Sequence, residues 1–183
     1  MSKSQFNFVS DTTLRSNIEQ VFEHIARLLE IVKDPAYPIE AKSVFCKTII
    51  IHTGSVVEAL LYTLIESKYS DDNIKNYYSS WQLHPVTEFH SISPTHKVVA
   101  GHYKYIASKL GIQKLNLGQM CDFLKAKGDI TPEIHKKLTK VRNLRNEQHL
   151  ATQKKLKKYT IKDVNEVFKI AREVKEFVAS KLH

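Results

Sequence analysis

Helix breakers are scarce in this chain: 183 residues carry five glycines and five prolines, and long stretches pass with neither. Inside a helix a glycine costs about 1 kcal/mol and a proline about 3 kcal/mol relative to alanine, whereas a many-turned β fold needs both at its turns. The chain is therefore expected to be all-α, an antiparallel bundle of about five helices in one domain spanning 1–183, with an irregular insertion around 69–94. Apolar residues make up 42% and charged residues 26%, a globular balance, so a core can form without disulfides or metal.

Periodicity and caps place the helices. Asp11 can cap a first helix whose apolar positions, Leu14, Ile18, Val21, Phe22, Ile25, Leu28 and Leu29, recur at helical spacing. Asp34-Pro35 and Pro38 end it, because a proline pushes the residue before it out of the helical region. A second helix is predicted from about Ile39 to Lys68, apolar over so wide a surface that it should be central. Gly54 within it suits the close approach of a neighbour or a bend. From Tyr69 to Pro94 no period holds. His96 to Leu110 is weakly helical, although Val98 to Ile106 also alternates well enough for a strand. Leu117 to Lys127 reads as a short helix closed by Gly128. Thr131 then caps, Pro132 takes the first helical position and Glu133 sits at the positive end, which predicts a helix to about Thr152. A basic connector, Lys154 to Tyr159, leads to a last helix capped by Thr160. No internal repeat occurs.

Cys46 and Cys121 both fall in apolar helical patterns, which predicts two reduced core thiols and a reducing, cytoplasmic setting. The N-terminus lacks an export pattern and the C-terminus a lipidation pattern. The most apolar stretch, Val44 to Ile65, is broken by Lys47, His52 and Glu58, which favours a buried helix over a membrane span.

Positive charge is concentrated. Between Lys125 and Lys158 eleven Lys/Arg face three acids, so +8 of the chain's formal +9 lies in that segment. Such a field attracts phosphates or acidic proteins, or simply solvates a surface. On the helix from Thr131, with Arg142 set at zero, Asn146 falls at roughly +40°, His149 at roughly −20° and Arg145 at roughly −60°. Ile134, Leu138 and Val141 lie to one side of this polar stripe, so the helix can dock while holding it at the rim of the core. A histidine there can move protons to and from RNA oxygens, and an arginine can stabilise charge on a phosphoryl group. The internal nucleophile would be the 2′-hydroxyl, which restricts the chemistry to RNA. One histidine does not easily serve as both acid and base, so a two-fold dimer that juxtaposes two copies is part of the expectation. By geometry alone the same spacing is also common on solvated helix surfaces.

The stretch Leu138-Thr-Lys-Val-Arg-Asn-Leu-Arg-Asn-Glu-Gln-His-Leu150 resembles the signature helix of HEPN (higher eukaryotes and prokaryotes nucleotide-binding) domains. In that helix an arginine is followed, after four to six residues, by a histidine. Arg142 and His149 fit the form; Arg145-Asn146 resembles the family's Arg-polar pair at a shorter spacing, so both arginines remain candidates. The order Leu117 to Lys125, Gly128 to Glu133, then the signature helix is similar to that of prokaryotic HEPN-like proteins. Ser55-Val-Val-Glu58 resembles their long second helix, where an acid can face the site. The resemblance implies a homodimeric helical bundle and a metal-independent endoribonuclease of the toxin–antitoxin or antiviral-defence kind, or else a catalytically silent module for RNA binding or assembly. It assigns Arg142, Arg145, Asn146, His149 and Glu58 to the site. No cofactor is expected. Lys154, Lys155, Lys157 and Lys158 would hold the RNA backbone, and partners would include RNA, a second copy and a regulatory protein such as an antitoxin.

Three other readings carry less weight. His84, His90, His96 and His102 recur every six residues, a spacing that brings no ligand set together for zinc. Leu117 to Arg145 could form a DNA-binding helix-turn-helix, but Glu133 opens its second helix, where recognition residues normally lie. Tyr77, Tyr78 and Trp81 suit a patch over the core or a dimer seam better than a base-stacking platform. Phosphate-binding glycine loops, CxxC pairs and serine-nucleophile elbows are lacking.

Overall fold

The computed structural model describes residues 5–147 and 158–182. The chain folds into two compact units: one formed by the chain up to Lys68 and from Leu115 onward, the other by Tyr69–Lys114.

The first unit is a helical bundle of α1 (Thr12–Lys33), α2 (Ile39–Lys68), α4 (Leu117–Ala126), α5 (Pro132–Asn146) and α6 (Ile161–Leu182). Local chemistry starts and stops these helices. The Asp11 carboxylate accepts from the N–H groups of Thr13 and Leu14 at 2.8 and 3.0 Å, and the Asp34 N–H closes α1 on the Glu30 carbonyl. Gly128 takes φ +74° just after α4, a conformation that glycine adopts without steric cost. Thr131 Oγ1 accepts from the Ile134 N–H at 3.2 Å with Pro132 in the first turn, as predicted. Described α5 runs to Asn146 with Glu147 as its C-cap, and the expected end, Thr152, lies outside the described residues.

α2 is the central element. Ile49, Ile50, Val57, Leu60, Leu61, Leu64 and Ile65 are fully buried, with α1 and α6 against it and α4 and α5 packing on it too. Among the described residues it alone is long and apolar enough to cross a membrane, yet most of its apolar span is buried inside this bundle. A helix apolar over most of its circumference is what the middle of a bundle requires, because other helices pack on several of its sides. Lys68, at the end of α2, pairs with Asp129 at 2.6 Å, and this tie holds the α4–α5 turn.

The second unit departs from expectation. α3 (Asp71–Tyr78) carries a capping box in which Ser70 and Asn73 satisfy each other's backbone N–H, and is followed by an antiparallel hairpin of β1 (Ser80–Ser93) and β2 (His96–Ile106). The stretch read as irregular is thus a helix and a strand, and His96 to Leu110 follows its strand reading rather than its helical one. The reason lies in the register, which runs from Ser80↔Ile106 to Pro85↔Gly101, then shifts between Pro85 and Phe89. Such an irregularity breaks the two-residue alternation by which a strand is recognised. The Tyr77, Tyr78 and Trp81 group divides. The two tyrosine rings meet edge to face at 4.8 Å at the end of α3, while Trp81 pairs across the hairpin with Tyr105 at 5.3 Å and is 66% exposed, so it does not cover a core.

Candidate functional site

The candidate site lies where α5 meets α2 and α4. α5 docks through Leu138, Val141 and Leu144, all buried, which leaves Arg142 and Arg145 half-buried at the edge of that contact and Asn146 exposed in the last turn. Two glycines on the opposing helices make room for the arginines. The Arg145 stem crosses Gly54 of α2 so closely that a Cβ there would stand 3.3 Å from Arg145 Cδ. One turn further along α2, Glu58 Oε2 accepts a hydrogen bond from Arg145 Nη1 at 2.7 Å. Gly54 therefore serves the close approach of a neighbour, one of the two roles its position suggested.

Arg142 reaches the other way. It lies over Gly118 in the first turn of α4, where a Cβ would come within 2.9 Å of Arg142 Nη1 and 3.2 Å of Cδ. That turn is capped by Asn116, whose side chain accepts from the Gln119 N–H while Gln119 returns a bond to the Asn116 N–H. The start of a helix carries partial positive charge and N–H groups with no intrahelical acceptor. Arg142 adds a full positive charge there and, among the described residues, has no carboxylate partner. Glu58, the acid brought to this edge, is engaged by Arg145. The two arginines thus differ: Arg145 is held and compensated, whereas Arg142 is held and, among the described residues, uncompensated, the arrangement that favours an anion.

Charge elsewhere on α5 is largely neutralised. Lys137 bridges Glu133 and Glu173, each at 2.8 Å, and these hydrogen bonds hold its ammonium up to about 12. Lys140 pairs with Glu166 of α6. The positive field counted in the sequence is therefore uneven, with Lys137 and Lys140 of α5 tied to acids.

Cys121 is buried beneath this edge. Burial first, then Asp122, push its thiol up to about 12; Arg142 pulls the other way and Glu58 adds to the rise. The thiolate is the reactive form. At pH 8 the native protein is expected to leave Cys121 unmodified by a thiol reagent that labels it fully in denaturant, a result read by mass spectrometry; rapid labelling of native Cys121 would show that α4 opens readily. Cys46 is also buried and free, and burial raises its thiol as well.

Two features of this edge were not singled out from the sequence. Gly118 and the Asn116 cap supply the positive helix end, and His135 Nε2 lies 3.0 Å from Asp122 Oδ1 along the same α4–α5 contact. His135 precedes Arg142 by seven residues, close to two helical turns, so spacing alone could have placed it on the Arg142 stripe. Of the expected backbone-binding lysines, Lys158 is exposed, with Glu40 at 3.4 Å. His149, Lys154, Lys155 and Lys157 lie outside the described residues.

Compared with known proteins, the chain matches no family model, no curated protein and no solved structure. Fold and site together define a helical bundle with an inserted helix–hairpin unit and an arginine pair on α5.

Proposed function

We propose that this protein is a metal-independent endoribonuclease of HEPN type, acting as a cytoplasmic homodimer in a toxin or antiviral-defence role under the control of a regulatory protein such as an antitoxin. The observation that carries the reading is Arg142, a half-buried guanidinium seated at the positive end of α4 without a carboxylate partner among the described residues. Water is a poor substitute for an anion at such a place, and an RNA phosphodiester supplies a pair of non-bridging acceptor oxygens. Arg142 is the group that stabilises charge on the phosphoryl oxygens. Arg145, paired with Glu58, is a positioning residue that keeps this end of α5 on α2.

In the proposed reaction His149 takes the proton of the ribose 2′-hydroxyl. The 2′-oxygen attacks phosphorus, the bond to the 5′-oxygen breaks, and His149 of the second copy gives that oxygen a proton. The products are a 2′,3′-cyclic phosphate and a 5′-hydroxyl. Asn146 orients the substrate, and Lys154, Lys155, Lys157 and Lys158 hold the flanking backbone. The helix-turn-helix alternative has weaker support, since Lys137 and Lys140 of α5 are spent on acids rather than free for DNA.

The test is incubation of the full chain with mixed RNA in excess chelator. Wild-type cleavage leaving 2′,3′-cyclic phosphate ends, lost in His149→Ala, is expected. RNA bound but uncut by the wild type would instead make this a silent binding or assembly module.

A further inference from the structure

α1 and α6 both pack on α2, and between them runs an apolar groove of about 380 Å³ floored by α2. The sequence predicted a broad apolar stripe on α1, but only Ile18, Ile25 and Val32 are buried; Phe22 is 46% exposed at the groove's rim. The walls that matter are Ile25, Val56, Leu60 and Phe168, with the small side chains of Ala26 and Ala171 facing the same space. Thr53 also lines it, yet its hydroxyl donates to the Ile49 carbonyl at 2.8 Å and is not free for a ligand. At the edge contributed by α6 stand Arg172 and Lys175, and among the described residues no acid lines the groove. Lys175 is fixed there: its Nζ donates to Gln5 Oε1 at 3.1 Å and lies 5.2 Å from the centre of the Phe6 ring. Arg172 is exposed and, among the described residues, has no ion-pair partner.

We infer that this groove binds a free fatty acid, its hydrocarbon chain on the α2 floor and its carboxylate on Arg172 and Lys175. The volume falls at the small end of ligand sites, which span about 300–1,000 Å³. A stable protein partner needs about 800 Å² of each surface, far more than this slot offers, and its floor of core side chains is reached by a chain rather than by a helix face. An apolar body with one anionic end matches both the walls and the one-signed rim; a neutral lipid matches only the walls, and a bare anion only the rim.

The test is titration of delipidated full-length protein with [1-13C]dodecanoate below its micelle concentration, followed by carboxyl 13C NMR and calorimetry. Saturable one-to-one binding is expected, with 1-dodecanol at least tenfold weaker, Arg172→Glu at least tenfold weaker for dodecanoate, and Ala171→Phe abolishing binding. Arg172 is exposed, so its variant tests the anchor without disturbing the core, and thermal melting checks the fold of both variants. Dodecanol binding as tightly as dodecanoate, or Arg172→Glu binding normally, would overturn the assignment. So would cosedimentation with phospholipid vesicles in the absence of any saturable dodecanoate binding, which would make the groove a membrane contact. RNA cleavage plays no part in the readout, so the result stands apart from the nuclease reading.

Discussion

Arg142→Ala is expected to slow RNA cleavage by about a hundredfold to a thousandfold, the cost of removing one preorganised donor from a developing phosphoryl charge. Because Arg142 has no carboxylate partner among the described residues, its removal strands no buried acid, and the melting temperature should stay near that of the wild type. Arg142→Lys should recover only part of the rate, since an ammonium lacks the planar fork that meets two phosphate oxygens at once. Arg145→Ala behaves differently. It leaves Glu58 without its 2.7 Å partner and opens space over Gly54, so stability and cleavage should fall together. Cleavage rates and melting curves for the four proteins separate the two roles. Full activity in Arg142→Ala, with activity lost in a well-folded Arg145→Ala, would exchange them.

The second large effect concerns stability. Phe123 is fully buried on α4, the same helix that carries Gly118 and Cys121, and Phe123→Ala is expected to destabilise the protein by about 3–5 kcal/mol. Against a typical total of about 5–15 kcal/mol this is a large share, lost because the ring's contacts vanish and close-packed neighbours refill the space only in part. Urea unfolding gives the check: the midpoint should fall with little change in slope. A midpoint near the wild-type value would mean that α4 repacks. The α4 end of the arginine edge should loosen in the same variant, which faster labelling of Cys121 would report.

The helical unit was legible because its signals are local. Asp11, Thr131-Pro132 and Gly128 each act on backbone groups within a few residues; the first two start helices and the third closes one where expected. The breadth of apolar residues on α2 likewise foretold its central place. The hairpin was hidden, since the shift between Pro85 and Phe89 scrambles the alternation, so that β1 read as irregular and β2 stayed open between helix and strand. At the site, spacing put Arg142, Arg145 and Asn146 near one another on α5 but could not rank the two arginines.

That ranking depends on groups distant in sequence. Glu58 lies 87 residues from the arginine it engages, and Gly54 and Gly118 acquire their meaning only when α5 is laid across α2 and α4. The groove between α1 and α6 has the same origin: periodicity marked Phe22 and Leu29 as apolar, while packing decided that they line an opening. By itself the sequence determined which segments are helical, where they start and which faces are apolar, because these follow from interactions within one or two turns. Tertiary structure alone decided which charges are compensated and which apolar faces stay uncovered, because both depend on what a side chain meets across the bundle.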